Sequence, residues 1–247
     1  MSVKELRERT QAGFLDCKKA LDESNGDMEK AVEILRAKGL AKASKRAGVD
    51  ALDGAVVIKN INQVYGMLFF GTETDFVAKN YQFCQFADNE LSSFIESDNS
   101  NITNIEIDGE SFANRLGYLA AKIGENIVLK DYCKMISDDQ GAVFSYVHNK
   151  LNDNFDNVAR IGVLLKTKGA TADVAKQLCM HIASFKPIAL NEASMTSEQR
   201  ALVGEERKLK DLVLDLQSYL MDPSQTVAAF CKNNNIQIVD FKVFSVK

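Results

Sequence analysis

The segment Asn126-Ile127-Val128-Leu129-Lys130-Asp131-Tyr132 recurs near the other end of the chain as Asn235-Ile236-Gln237-Ile238-Val239-Asp240-Phe241. Three shorter echoes precede it in the same order. Gly54-Ala55-Val56 returns as Gly141-Ala142-Val143, Tyr65-Gly66-Met67-Leu68 as Ile161-Gly162-Val163-Leu164, and Val77-Ala78-Lys79 as Val174-Ala175-Lys176. Such a repeat narrows the choice of fold, because each copy must be one structural unit of similar design. In the first copy, Ala55 to Lys59 and Val64 to Phe70 are β-branched or aromatic runs separated by a polar turn, the mark of a hairpin. Phe83, Phe86, Ala87, Glu90, Leu91 and Phe94 then follow helical spacing, as do Leu116, Leu119 and Ile123 after the polar loop 98–104. Ile127 to Ile136 closes the unit as a strand. Each half reads as hairpin, helix, helix, strand: an α+β unit with helices on one face of a small antiparallel sheet. The expected units are residues 54–139 and 140–247, giving a duplicated core of two small sheets.

The first forty residues have a different period. Val3 to Arg9 and Phe14 to Glu23 read as helices, the second with Phe14, Cys17 and Leu21 on one face. Asn25-Gly26 marks a turn and Asp27 suits the N-cap of a third helix bearing Met28, Ala31, Val32 and Leu35. Gly39 is the expected C-cap. Residues 1–40 therefore form a three-helix domain, and 41–53, with its basic residues and alanines, a helical, solvated linker. Between Ser197 and Leu220 the stripe Leu209, Leu212, Val213, Leu216 predicts a single helix or a short stump.

Composition removes several function classes. With 30 basic against 34 acidic residues and a net charge of -4, the chain lacks the basic excess that direct nucleic-acid binding needs. No apolar run reaches the roughly 18 residues that span a bilayer. The N-terminus is charged throughout, without the apolar core of a signal peptide, so a cytoplasmic protein is expected. Cys17, Cys84, Cys133, Cys179 and Cys231 are dispersed, which suits reduced, buried thiols. Only His148 and His181 could join them, so neither a metal site nor a cofactor is expected. Phosphate-loop, dinucleotide, zinc-protease and serine-hydrolase motifs are all missing. The adjacent acids Asp138 and Asp139 precede Gly141 in a turn and read as loop residues, which leaves a carboxylate enzyme little to work with.

The most informative string is Thr72-Glu73-Thr74-Asp75-Phe76-Val77-Ala78-Lys79-Asn80, a strand-to-helix corner. Thr74 suits an N-cap and Asp75 the positive end of a helix. By residue type alone, Phe76 belongs to its own core more readily than to a docking surface. His181, between Leu178 and Ile182, reads as a packing histidine, and His148 as an exposed hairpin residue. A general protein-interaction module fits these residues as well.

Thr74-Asp75-Phe76-Val77-Ala78-Lys79 resembles the signature of the elongation factor Ts family, and it has company. Lys4 to Thr10, Asp16-Cys17-Lys18-Lys19-Ala20-Leu21, Lys122-Ile123-Gly124-Glu125-Asn126, Ala159-Arg160-Ile161-Gly162 and Met180-His181-Ile182-Ala183 follow in the family's order across nearly the whole chain. The resemblance implies a nucleotide-exchange factor that is not an enzyme, with an N-terminal domain like ubiquitin-associated domains. It implies that Thr74, Asp75, Phe76 and Val77 intrude on the GTP-binding domain of elongation factor Tu near its magnesium. Phe76 would wedge between partner helices while Asp75 disturbs the magnesium-water network. By the same resemblance Val3, Leu6 and Arg9 dock on that domain, and His148, in the second subdomain, faces the partner's third domain. Val3 and Leu6 would equally serve to hold their own module together. The coiled-coil insertion of longer members is shortened here, near 197–222, and their terminal helix is missing.

Overall fold

A computed structural model describes residues 3–10, 12–204 and 208–246. The chain opens with α1 (Val3–Thr10), α2 (Phe14–Glu23) and α3 (Met28–Arg46), followed by the hairpin β1 (Asp53–Ile61) and β2 (Val64–Thr72). A single turn, α4 (Asp75–Ala78), leads into α5 (Tyr81–Glu96), the small hairpin β3 (Glu106–Ile107) and β4 (Glu110–Ser111), α6 (Phe112–Ile123) and β5 (Ile127–Ile136). The second half comprises β6 (Ala142–Asn152), β7 (Phe155–Lys168), α7 (Ala172–Phe185), α8 (Ser197–Ala201) and α9 (Leu209–Leu212). It ends with β8 (Ser218–Tyr219), β9 (Asp222–Thr226), α10 (Val227–Asn233) and β10 (Gln237–Ser245).

The N-terminal helices enclose Leu6, Cys17, Ala20, Leu21, Ala31 and Val32. Asp27 caps α3 by accepting the Lys30 N–H at 3.1 Å. Gly39 does not end that helix, contrary to its expected role: α3 runs through it to Arg46. A Cβ on Gly39 would come 3.2 Å from that of Ala121, so the glycine lets α3 cross α6 closely. Arg36 reinforces the crossing through Glu110 at 3.1 Å and by lying over the Tyr118 ring. The three-helix module therefore rests on the body, and the solvated spacer shrinks to the few residues after Arg46. Gln11, in the expected first break, lies outside the described residues.

Asn62 and Gln63, at φ 47° and 68°, make the two-residue left-handed turn that a tight hairpin requires between β1 and β2. In each half the closing strand pairs with the second arm of the hairpin, β5 with β2 and β10 with β7. The expected pair of separate sheets is corrected here. One edge of β7 carries β6, while its other edge takes β10 and also β1, through Val56↔Ala159 and Val57↔Val158. The strands form one six-stranded sheet, ordered β10-β7-β1-β2-β5 with β6 on β7.

The reason lies in the side chains. Ala55, Val57, Leu68 and Phe70 pack under α4, α5 and α6 with Phe83, Leu91 and Phe94. Val56, Ile58 and Met67 point the other way, and among the described residues their cluster contains no helix residue. They meet Val143, Leu164 and Phe244 from the second half instead, with Phe69 stacked on Phe244 at 5.7 Å. Strands apolar on both faces need cover on both. A second helical core joins Val163 and Leu165 to Leu178, Ile182, Tyr219 and Val227.

The stripe at 209–216 does not form one helix. α9 is a single turn, a 3₁₀ turn follows at Leu214–Leu216, and Val213 bridges to Ala189. Leu212, Val213 and Leu214 are all buried, so three consecutive side chains go inward, which a helix stripe cannot do. Residues 205–207 of this stretch lie outside the described residues.

Candidate functional site

The corner after β2 is built from its anchors outward. Thr72, fully buried, gives its hydroxyl to the Thr74 carbonyl at 2.7 Å. Thr74 occupies the N-cap position of α4, yet its side chain caps nothing. Its N–H and hydroxyl are instead donated to the Glu125 carboxylate at 3.1 and 3.0 Å. Val77 and Ala78 then enter the core. Lys79 stops the turn, and Asn80 caps the next helix by accepting the N–H groups of Gln82 and Phe83.

With Val77 and Ala78 facing inward, about 100° per residue of helical rotation turns Phe76 outward. It is 80% exposed, more than any other large apolar side chain among the described residues. Leaving a phenylalanine in water forgoes about 1.5–3 kcal/mol of burial. Asp75, beside it, is half-buried and accepts a hydrogen bond from Lys79 Nζ at 2.6 Å. That bond holds its carboxyl below the ordinary value, so it is anionic at neutral pH. The tip thus presents one aromatic face and one carboxylate paired with Lys79, and the Asn152 amide braces its far end by donating to the Lys79 carbonyl.

Glu73 anchors the other side. Its carboxylate takes two hydrogen bonds from the Arg46 guanidinium, at 3.1 and 2.8 Å, and one from the Asn126 N–H. Arg46 chiefly, then Asn126, pull this carboxyl below its usual range. The Asn126 side chain in turn donates to the Val49 carbonyl at 2.7 Å. The segment after α3 is thereby tied to the corner.

The remaining residues singled out in the sequence lie elsewhere. Leu6 is fully buried and Val3 packs against the same small core. Arg9 is exposed and paired with Glu29 at 2.9 Å. His148 stands on β6, exposed, its Nδ1 sharing a hydrogen bond with the Tyr146 hydroxyl. His181 is fully buried, with both ring nitrogens bonded. Thr74 to Val77 are therefore brought together in one turn, while no bond or ring contact joins His148 or Arg9 to them among the described residues.

Several surface residues escaped the sequence reading. Phe14, expected on the inner face of α2, is 57% exposed, and Leu15 beside it 69%. Cys17, Ala20 and Leu21 already fill that face. Two adjacent large apolar residues opening an amphipathic helix were the available signal, since both cannot face inward. Glu125 and Arg46 were also missed as partners of the corner, because their contacts span 51 and 27 positions.

Among the described residues, no three His, Cys, Asp or Glu side chains are grouped to hold a metal ion. What the corner offers is a fixed base, an exposed aromatic side chain and an adjoining carboxylate.

Residues 73–203 match the family described as Elongation factor TS. The chain is 37% identical to "Elongation factor Ts" of Hydrogenobaculum sp. (strain Y04AAS1), covering 99% of this chain and 97% of that protein. It is 36% identical to "Elongation factor Ts" of Enterobacter sp. (strain 638) and 35% identical to that of Salmonella newport (strain SL254). Each of these alignments covers 99% of this chain and 89% of the relative.

Proposed function

The chain belongs to the elongation factor Ts family, and from that premise we propose that it is the guanine-nucleotide exchange factor for elongation factor Tu in protein synthesis. It binds the GDP form of its partner, loosens the grip on magnesium and phosphate, and leaves a site that GTP can fill. It performs no covalent chemistry and works in the cytoplasm. No helix among the described residues is long and apolar enough to cross a membrane.

The observation that carries the mechanism is the pairing of an 80% exposed Phe76 with the Asp75 carboxylate on one anchored turn. Mg²⁺ bridges phosphate oxygens and ordered waters, so a displaced ligand or a competing carboxylate weakens the hold on GDP. Phe76 wedges between helices of the partner's GTP-binding domain, and its burial there supplies about 1.5–3 kcal/mol. Asp75 acts on the magnesium waters. Thr74 and Val77 hold the turn that carries both. Arg9 and Val3, at the head of the N-terminal module, add a second contact on the same domain, with Leu6 shaping it from inside. His148 faces the partner's third domain.

Binding free energies are reciprocal. If this chain weakens GDP binding a thousandfold, about 4 kcal/mol, GDP weakens this chain's binding by the same factor. The factor therefore holds empty partner tightly and yields when nucleotide returns. The test is stopped-flow release of a fluorescent GDP analogue from elongation factor Tu: the wild-type chain accelerates release, and Phe76→Ala accelerates it far less. No acceleration by the wild-type chain would refute the assignment.

A further inference from the structure

We propose that Glu125 is a positioning residue for exchange, assisted by Arg46 acting through Glu73: together they hold the Asp75–Phe76 turn in the orientation that GDP release requires. The inference rests on the exchange mechanism above and adds what sets the wedge in place.

Glu73 and Thr74, the two residues before the wedge, are gripped by two consecutive residues of another element. Asn126 N–H binds Glu73, and the Glu125 carboxylate takes both the N–H and the hydroxyl of Thr74. Gly124, at φ 86°, ends α6 and turns the chain toward the corner. The Lys122-to-Asn126 motif thus has a task that nothing in its own helix explains. Thr74, in the N-cap position, bonds Glu125 and leaves the helix end without a side-chain cap. Its carbonyl is taken by Thr72, so its N–H, carbonyl and hydroxyl are all tied to the body. Arg46 adds a two-point contact from the last turn of α3, the helix that also forms the N-terminal module.

The base of the corner is held from both sides while its tip projects into water. That is the arrangement expected of a recognition element whose ordering cost is met before binding. A turn free to swing would have to be ordered at the moment of insertion, and the maximal release rate would fall.

The experiment measures GDP release from elongation factor Tu against exchange-factor concentration for Glu125→Gln, Arg46→Met, Phe76→Ala and the doubles with Phe76→Ala. Glu125→Gln, which offers a single acceptor oxygen, is expected to lower the maximal rate roughly tenfold, below the ~100-fold that misplacing a reacting group can cost. Arg46→Met, at a half-exposed site that does not threaten folding, lowers it about threefold, the scale of a partly exposed ion pair. In the Phe76→Ala background each substitution lowers the rate by a smaller factor than in the wild type, because only the Asp75 carboxylate is left to orient. A merely structural role would give the same loss in both backgrounds and would overturn the proposal. So would an unchanged rate for Glu125→Gln while Phe76→Ala is slow. If Phe76→Ala itself releases GDP as fast as the wild type, the underlying mechanism fails and takes this inference with it.

Discussion

Arg115 grips Glu90 at two points, Nε to Oε1 and Nη2 to Oε2, each 2.7 Å, across the interface of α5 and α6. Glu90 is only 3% exposed, and the guanidinium also donates to the carbonyls of Ile105 and Glu110. Removing one member of such a pair strands the other charge out of water, which costs about 3–5 kcal/mol. Arg115→Met should therefore lower the unfolding free energy by that amount in urea. Glu90→Met added to it restores all but the two backbone hydrogen bonds, about 1 kcal/mol each. A double variant no better than the single would mean that packing, not the charge pair, holds the two helices.

His181 makes folding stability depend on pH. The Leu220 N–H donates to its Nδ1 at 3.1 Å, so the ring proton sits on Nε2 and goes to Gln217 Oε1 at 2.9 Å. Protonating Nδ1 would set two N–H groups face to face. Burial is the main cause that lowers this imidazole's pKa from 6.5, with the Gln217 contact opposing it in part. The unfolded chain thus binds a proton at a pH where the folded chain does not. Stability from this group is complete above pH 6.5 and declines as pH falls below it toward the folded value. Melting curves between about pH 7.5 and 5 should show that decline, and His181→Gln should flatten it. A slope unchanged in His181→Gln would assign the effect to another group.

Gly162 sits where the two halves of the sheet face each other. A Cβ there would lie 2.5 Å from Val56 Cγ1 and 2.9 Å from Met67 Sδ. Gly162→Ala should therefore destabilise the fold by about 1–3 kcal/mol through overpacking. Met67→Ala in the same chain should recover part of that loss by making room. Denaturant midpoints check both, and a neutral Gly162→Ala would mean that the halves adjust without strain.

Much of this architecture is legible in the sequence, and the failures share a cause. β5 begins and ends at Ile127 and Ile136 as expected, and α2 spans Phe14 to Glu23. Local pattern sufficed there. Gly39 misled because its role is set by Ala121 on another helix. The single sheet was missed because the join between halves rests on Val56↔Ala159 and Val57↔Val158, a pairing with no local signature. In the corner, Thr74 looked like a cap because nothing nearby reveals Glu125, 51 positions away. The residues of the turn itself were readable, since Thr-Asp-Phe-Val stands between a buried strand and a helix. The side to which Phe76 points was not, because residue type favours the core.

That orientation allows folding and exchange to be separated. Phe76 is 80% exposed, so Phe76→Ala removes nothing from the core and should shift the unfolding free energy by no more than about 0.5 kcal/mol. On the partner, the same substitution deletes an aromatic side chain worth about 1.5–3 kcal/mol when buried, or roughly 10- to 150-fold in the release rate. Asp75→Asn keeps the shape of the turn and removes its charge, so its melting curve should stay in place while GDP release slows. Magnesium offers a cross-check on the two roles. If the carboxylate acts on the metal's waters, raising free Mg²⁺ should slow release by the wild type more than by Asp75→Asn, and should slow Phe76→Ala as it does the wild type. Equal magnesium sensitivity in all three would leave the carboxylate without a part in metal displacement, and the wedge alone would have to account for exchange.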